Sequence, residues 1–527
     1  MLATEAKSAD AAGAPGSRPE GSTYEEALRA TSVIGGAEGV TYLIGLIRTK
    51  AVAVLLGPSG VGLIALYTNY MQYLQTLAGL GMASSGVRQV AEAVGSGDAA
   101  KIALTVRTLR RACWCAGLFV VILAVVLARP ASQWSLGSTE SAVAFALLGV
   151  AGFLQILSGG QAAALQGFRR IGDLARVKVY AIAATTVVAV TAYYFFGEGG
   201  IIPVLICAAA IQLLVTWIFS RQIRLEEVRL SWAETWWRAR ELVALGLGFT
   251  YAALISGGVT TVLGFLVVRE LGFEANGMYG AAWMLSGLFA GFVLGAMGTD
   301  FFPRLTAVQS DHGRMRRVVN EQTEMGIFLA LPGLLATLAF APWVIKALYT
   351  AQFLPAAELL PWFVLGVFGQ VITWPLGFIL MAKGAKGLYA LTETLVSAVR
   401  LVLSYALLQV WGLPGLAVAV PLAYVFYALL MLPVTHKLVG HRWSREVGQL
   451  LGWSALLVAA GFAANRLLPP AAAVLCGAAL AIAGSVFCLR GLAARVGAEH
   501  KLVRLIGSIP GGRRLFGEKL KTEKLKR

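Results

Sequence analysis

The sequence predicts an all-α, polytopic membrane protein of about 14 transmembrane helices, in two pseudo-symmetric six-helix lobes plus a C-terminal helix pair. Three observations carry that expectation. Charged residues are only 13% of the 527 while hydrophobic ones are 58%, about half the charged fraction of a soluble domain. The mean hydropathy of +0.73 exceeds what a water-soluble fold can hide. The apolar residues also come in runs long enough to cross a hydrocarbon layer of about 30 Å. A soluble globular enzyme is excluded.

Residues 1 to about 24 are rich in Ala, Gly and Ser and carry Glu5, Asp10 and Glu20 without an apolar core. They form no cleavable signal peptide and read as a disordered cytoplasmic tail, 1–27. Apolar runs then place six spans near 31–52, 61–83, 111–128, 141–163, 178–196 and 201–220, within an N-lobe of 28–225. The polar stretch 221–241 carries Arg221, Arg224, Arg229, Arg238 and Arg240 around Trp232, Trp236 and Trp237, the pattern of a helix lying at the membrane surface. Spans near 242–268, 277–299, 325–348, 358–381, 388–410 and 415–435 build a C-lobe of 226–440. A final pair near 447–465 and 471–489 falls within 441–490. Residues 491–527 form a basic tail whose interleaved KLVRLIGSIPGGRRLF pattern suits an anchor on anionic lipid.

Loops are short throughout; the longest on the side away from the tails is about a dozen residues around Arg129 to Glu140, too few for an extramembrane catalytic domain. The net charge of +17 has a topological explanation and implies no nucleic acid. With the N-terminus cytoplasmic, 37 of the 44 Lys and Arg residues fall in cytoplasmic loops and tails. An even span number then returns the C-terminus to the same side. The five cysteines lie in or beside apolar runs, and the Cys113–Cys115 pair alone implies neither disulfide framework nor zinc site. No cofactor is implied, and no Walker motif is present.

The halves echo each other. LLGPSGVG at Leu55 to Gly62 is matched by RELGFEANG at Arg269 to Gly277, and Gly57, Gly62, Gly81 and Arg88 pair with Gly272, Gly277, Gly298 and Arg304 at offsets of 215 to 217. Duplicated six-helix halves with a site between repeats are a common transporter plan. The stretch from Gly45 to Ala93, with its Arg-Thr-Lys, Leu-Gly-Pro-x-Gly-x-Gly, Gly-Leu-Gly and following arginine, resembles the N-terminus of Wzx-type O-antigen and polysaccharide flippases. These belong to the multidrug/oligosaccharidyl-lipid/polysaccharide exporter superfamily. The resemblance implies passage of an undecaprenyl-diphosphate-linked oligosaccharide from the cytoplasmic to the outer leaflet of a bacterial inner membrane by alternating access. It implies that no covalent bond is made, and that a polysaccharide polymerase and chain-length machinery are candidate partners. A cation-coupled multidrug exporter and a lipid II flippase are alternatives on the same fold.

The task so implied is to carry an anionic pyrophosphate past hydrocarbon, which cations on a water-filled cavity would serve. Ionisable residues at membrane depth are costly and usually face a cavity or a partner. Arg400 is the foremost candidate, about 18 Å into its span and near the midplane, with Glu393 on the same face two turns away. Arg48 and Lys50 either snorkel to the outer interface or, as the resemblance implies, contact the lipid-linked phosphate or sugar. Arg269 takes a similar place in the second half. Glu38 and Glu393 are candidates for ion coupling or for pairing with neighbouring helices. Asn69, Gln72 and Gln75 form a polar stripe along the second span, fit for sugar hydroxyls or for bonds between helices. Arg88 and Arg304 stand at expected cytoplasmic helix ends, as anchors or as a cytoplasmic gate.

Overall fold

The computed structural model describes residues 20–496; the tails beyond these bounds and some helix side chains, Glu38 among them, lie outside it. Among the described residues the regular structure is helical: α1 (Glu20–Gly79), α2 (Met82–Ser96), α3 (Ala99–Leu136), α4 (Ala142–Gly167), α5 (Ile171–Phe196), α6 (Ile201–Ser220), α7 (Trp232–Ala307), α8 (His312–Leu348), α9 (Ala356–Ala382), α10 (Lys386–Trp411), α11 (Leu413–Val439), α12 (Arg445–Leu467) and α13 (Pro470–Val496). Eleven segments are long and apolar enough to cross a membrane. Three of them contain an internal break, at Gly57, at Gly197–Gly200 and at Gly272, so the described residues supply fourteen helical arms for crossing a membrane. It is a multi-pass membrane protein.

Straight, α1 would run about 90 Å, three times the hydrocarbon thickness. Gly57 breaks it, with φ 63° and ψ −170°, a conformation essentially restricted to glycine. Pro58 then opens the second arm with its φ already set for helix. The first arm runs beside α5, Gly45 against Ile182. The second runs beside α4, where Tyr67 and Tyr70 meet Phe145 edge-on and Gln75 meets Gln155. Because α4 and α5 are joined by a tight turn, the chain reverses at Gly57. Gly272 (φ 86°, ψ 178°) breaks α7 in the same way.

The duplication is visible in the backbone at one offset, 215 residues. Besides Gly57 and Gly272, the left-handed Arg169 (φ 55°) matches Gly384 (φ 66°), and Gly197 (φ 53°) matches Gly412 (φ 63°). The turn into α5 bonds Arg170 N–H to Leu165 C=O; the turn into α10 bonds Ala385 N–H to Leu380 C=O, both at 2.9 Å. The halves meet along a seam between the second arm of α1 and α7, from just past its Gly272 break back along its first arm, the two running antiparallel. Going down it, Gly62 faces Phe273 and Gly277, Asn69 faces Gly264, Tyr73 faces Gly257 and Gly258, and Gly81 faces Gly246 and Thr250. Small residues at this spacing let helix backbones approach closely where no hydrophobic force drives them together. The final pair packs on α8 by the same device, Gly477, Gly484 and Gly491 of α13 resting on Ala339, Leu335 and Phe328.

Three local expectations change. α3 continues through Pro130 to Leu136, so the anticipated dozen-residue loop shrinks to 137–141; a Pro in a membrane helix is tolerated where neighbours accommodate it. The arginine expected at the end of the second span, Arg88, lies instead on the separate helix α2, because Leu80 (φ 42°) and Gly81 (φ 70°) turn the chain left-handed. In the second half, by contrast, α7 runs unbroken past Gly298 to Arg304. The surface helix of 221–241 starts only at Trp232, where Ser231 and Glu234 form a reciprocal cap, and merges directly into the next span. Residues 224–230 ahead of it form no regular element and are held to α3 by Arg107, which donates to Val228 C=O, and Arg111, which donates to Leu230 C=O at 2.8 Å.

Candidate substrate cavity

Arg400 stands 14 residues into α10, about 21 Å along the helix. Its guanidinium lies over the Trp283 ring of α7, 5.4 Å from the centroid, which offers a cation a favourable face without neutralising it. Arg400 and Glu393 line one cavity of about 370 Å³ within the second half. Tyr389 joins them from α10, Gln370 and Thr373 from α9, Tyr424 and Tyr427 from α11, and Ser256 from α7. Among the described residues neither Arg400 nor Glu393 enters an ion pair. The cavity therefore presents one cation, one carboxyl group, several hydroxyls, an amide and aromatic faces. That set can hold a phosphate by paired hydrogen bonds and sugar rings by hydroxyl and stacking contacts.

A second cavity, of about 520 Å³, lies in the first half and also reaches α7. Gln72, Gln75 and Thr76 of α1, Gln155 of α4, and Thr250 and Ala253 of α7 line it. Gln75 Nε2 donates to Gln155 Oε1 at 2.9 Å, so this member of the stripe ties two helices together while Gln72 stays exposed to the cavity. α7 is the common wall, and it is linked to α10 where Tyr251 Oη and Thr394 Oγ1 lie 2.6 Å apart. Gln155 and Gln370 differ by the repeat offset of 215: each half aims an amide from the equivalent helix into its own cavity.

The remaining candidates lie elsewhere. Lys50 Nζ donates to Lys346 C=O at 2.9 Å and to Tyr349 C=O, capping the carbonyl end of α8 where a cation is favoured and fastening the first half to the second. Arg48 is exposed at the same end. Arg269, also exposed, reaches Trp134 C=O at 3.5 Å. Asn69 sits on the seam, its carbonyl accepting from Thr261 Oγ1 at 3.4 Å. Arg88 is exposed on α2, and Arg304 pairs with Glu321 at 3.6 Å. Lys50, Arg48, Arg269, Asn69, Arg88 and Arg304 thus line neither cavity, and the Glu38 side chain lies outside the described residues. Sequence reasoning missed Gln155, Gln370, Tyr389, Tyr424 and Tyr427. Amides in mid-run on α4 and α9 were the available signal, and the repeat offset applied to one finds the other.

A family model described as "Polysaccharide biosynthesis protein" matches residues 51–358. The chain is similar to the lipid III flippase of Escherichia coli (strain K12), 24% identical over 412 residues that cover 73% of this chain and 92% of that protein; the Shigella flexneri lipid III flippase matches to the same extent. Among solved structures, a lipid II flippase in an inward closed conformation superposes with a TM-score of 0.61 at 14% identity, covering 87% of this chain and 99% of the other. An inward-facing multidrug resistance transporter of the MOP superfamily gives 0.60 at 13% identity, covering 76% and 94%. These likenesses show a shared fold.

Proposed function

The chain belongs to the polysaccharide biosynthesis protein family, and from that premise we propose that it is a flippase moving an undecaprenyl-diphosphate-linked oligosaccharide, such as an O-antigen repeat unit, across a bacterial inner membrane. The observation that carries the reading is the Arg400 cavity. It sets a guanidinium that has no ion-pair partner among the described residues beside hydroxyl, amide and aromatic groups on membrane-crossing helices, a set that suits a pyrophosphate-sugar head group. Arg400 binds the pyrophosphate by paired hydrogen bonds. Tyr389, Tyr424 and Gln370 bind the sugars, while the lipid tail stays in the bilayer. Alternating access follows from the two halves rocking about the α1–α7 seam, Gln72 and Gln155 receiving the sugars as the head group changes side.

The chain carries out transport without bond-making, both termini lie in the cytoplasm, and the delivered unit is then available to a polymerase and chain-length machinery. The positive-inside bias supports the orientation. Glu393 in the same cavity favours a second role there, proton or sodium coupling, which also keeps the cation-coupled exporter reading in play. The lipid III flippase among the similar proteins supports a lipid-linked saccharide over a free drug. The test is reconstitution of the full chain in proteoliposomes holding a fluorescent polyprenyl-diphosphate oligosaccharide. Outward exposure of the sugar to an added glycosidase, lost in Arg400→Gln, is the expected result. Exposure equal to protein-free vesicles overturns the reading.

A further inference from the structure

Outside the seam, α3, α4 and α6 enclose a third cavity of about 490 Å³ in the first half. Its lining is graded. At one end stand Arg110 of α3, Gln161 of α4 and Trp217 near the end of α6; about one turn further along the walls is Leu157, and about two turns further are Leu154 and Ala210. Trp114 and Trp217 at the rim are about half exposed, so the cavity opens to the periphery of the bundle. Tryptophans at such a level mark the head-group region.

Two groups there lack partners. Arg110 enters no ion pair or hydrogen bond among the described residues, whereas its neighbours Arg107 and Arg111 are committed to linker carbonyls. Gln161 Oε1 is buried without a donor among the described residues. A lone cation and a lone acceptor at the polar mouth of an apolar slot are costly in isolation. One ligand chemistry satisfies both: a phosphodiester for the guanidinium, a hydroxyl for the amide oxygen, and an acyl chain for the slot.

We infer that this groove is a structural site for an anionic glycerophospholipid of the phosphatidylglycerol type. Its phosphate pairs with Arg110, its head-group hydroxyl donates to Gln161 Oε1, and one acyl chain lies between Trp114 and Trp217. Cys113 and Gly160 form a wall shared with the Gln72–Gln155 cavity, but Arg110, Gln161, Trp114 and Trp217 line this groove and neither substrate cavity, so lipid retention reads out independently of transport. Native mass spectrometry of the detergent-purified full chain, with phosphatidylglycerol or phosphatidylcholine added, tests it. The wild type should retain phosphatidylglycerol at least tenfold more than phosphatidylcholine, and Arg110→Gln should abolish the preference. Leu214→Trp, at an exposed rim position, should obstruct the slot and lower retention with Arg110 in place, which keeps the test open if Arg110→Gln does not fold. Equal retention of the two lipids, preference unchanged in both variants, or displacement of phosphatidylglycerol by equimolar undecaprenyl phosphate would overturn the assignment.

Discussion

Gly62 and Gly277 pack against one another's helices reciprocally: a Cβ on Gly62 would overlap Phe273 C=O, and a Cβ on Gly277 would overlap Pro58 C=O. Both pairs are related by the 215-residue repeat, so the contact is made by the same backbone surface of each half, and Asn276 Nδ2 donates to Gly62 C=O across it at 2.7 Å. The two halves close on each other here main chain against main chain, with the Asn276 side chain bridging them, beside the glycine breaks at 57 and 272.

Because the neighbouring atoms are backbone, they cannot rotate aside. Gly62→Ala or Gly277→Ala should each cost about 1–3 kcal/mol, the range for overpacking a tight contact, and the pair should cost less than the sum since they strain one interface. Thermal unfolding of purified protein by scanning fluorimetry checks this; Gly95→Ala, at a glycine with open space around it, should leave the transition within a degree. Additive losses at 62 and 277 would mean that the contact is not shared.

Lys50 contributes at the same end by bonding the last carbonyls of α8. Lys50→Met removes a charged donor and should weaken closure by about 1–2 kcal/mol, given the worth of charge-assisted bonds. A cysteine placed at Gln352, beside Gly57, should then be labelled by an external thiol reagent several-fold faster than with Lys50 present. Unchanged labelling would remove Lys50 from the closure of this end.

How much of this was legible beforehand can be read from the same residues. The fourteen helical arms follow from apolar runs, since a bilayer imposes run length directly, and the Gly57 and Gly272 repeat was visible as a spacing. Lys50 shows the limit: sequence depth placed it near an interface but could not reveal that the α8 carbonyls end within its reach. The Arg400 and Glu393 spacing put both on one face of α10, yet Gln370, Tyr424 and Tyr427 enter their cavity from helices whose rotation no single-sequence pattern fixes. The break at Leu80–Gly81 falls in the Gly-Leu-Gly motif, but glycine is frequent in membrane helices and a leucine gives no sign of a left-handed turn, so the motif does not read as a helix end.

Arg169 is another such residue. It holds φ 55° where its repeat counterpart is Gly384, a conformation that costs a non-glycine residue about 1 kcal/mol or more. Arg169→Gly should leave stability unchanged or raise it by up to about 1 kcal/mol, after glycine's own entropy cost. Denaturation midpoints of the two proteins decide it, and a clear loss would show that the Arg169 side chain holds the turn.

His441, in the loop between α11 and α12, is 2% exposed, and neither ring nitrogen has a partner among the described residues. Burial, with Arg316 and His436 adding like charge, pushes its imidazole from the usual 6.5 down to about 4. The unfolded chain therefore binds a proton between about pH 6.5 and 4 that the folded protein refuses, so stability is complete above this window and falls as pH drops through it. His441→Phe should match the wild type at pH 8 and exceed it at pH 5 in unfolding temperature. A parallel decline of both proteins between pH 7 and 5 would place the sensitivity elsewhere.

The central claim rests on Arg400, and extraction of undecaprenyl-linked oligosaccharides from cells lacking the gene tests it most directly. Such cells should lose surface polysaccharide while intact repeat units accumulate on the inner leaflet. The wild-type gene should restore export, Arg400→Lys should restore it in part because Lys keeps the charge without the bidentate fork, and Arg400→Ala at equal expression should fail by tenfold or more. Unchanged polysaccharide and lipid-linked pools in the deletion, accompanied by new sensitivity to cationic drugs, would contradict the account and assign the cavity to drug export.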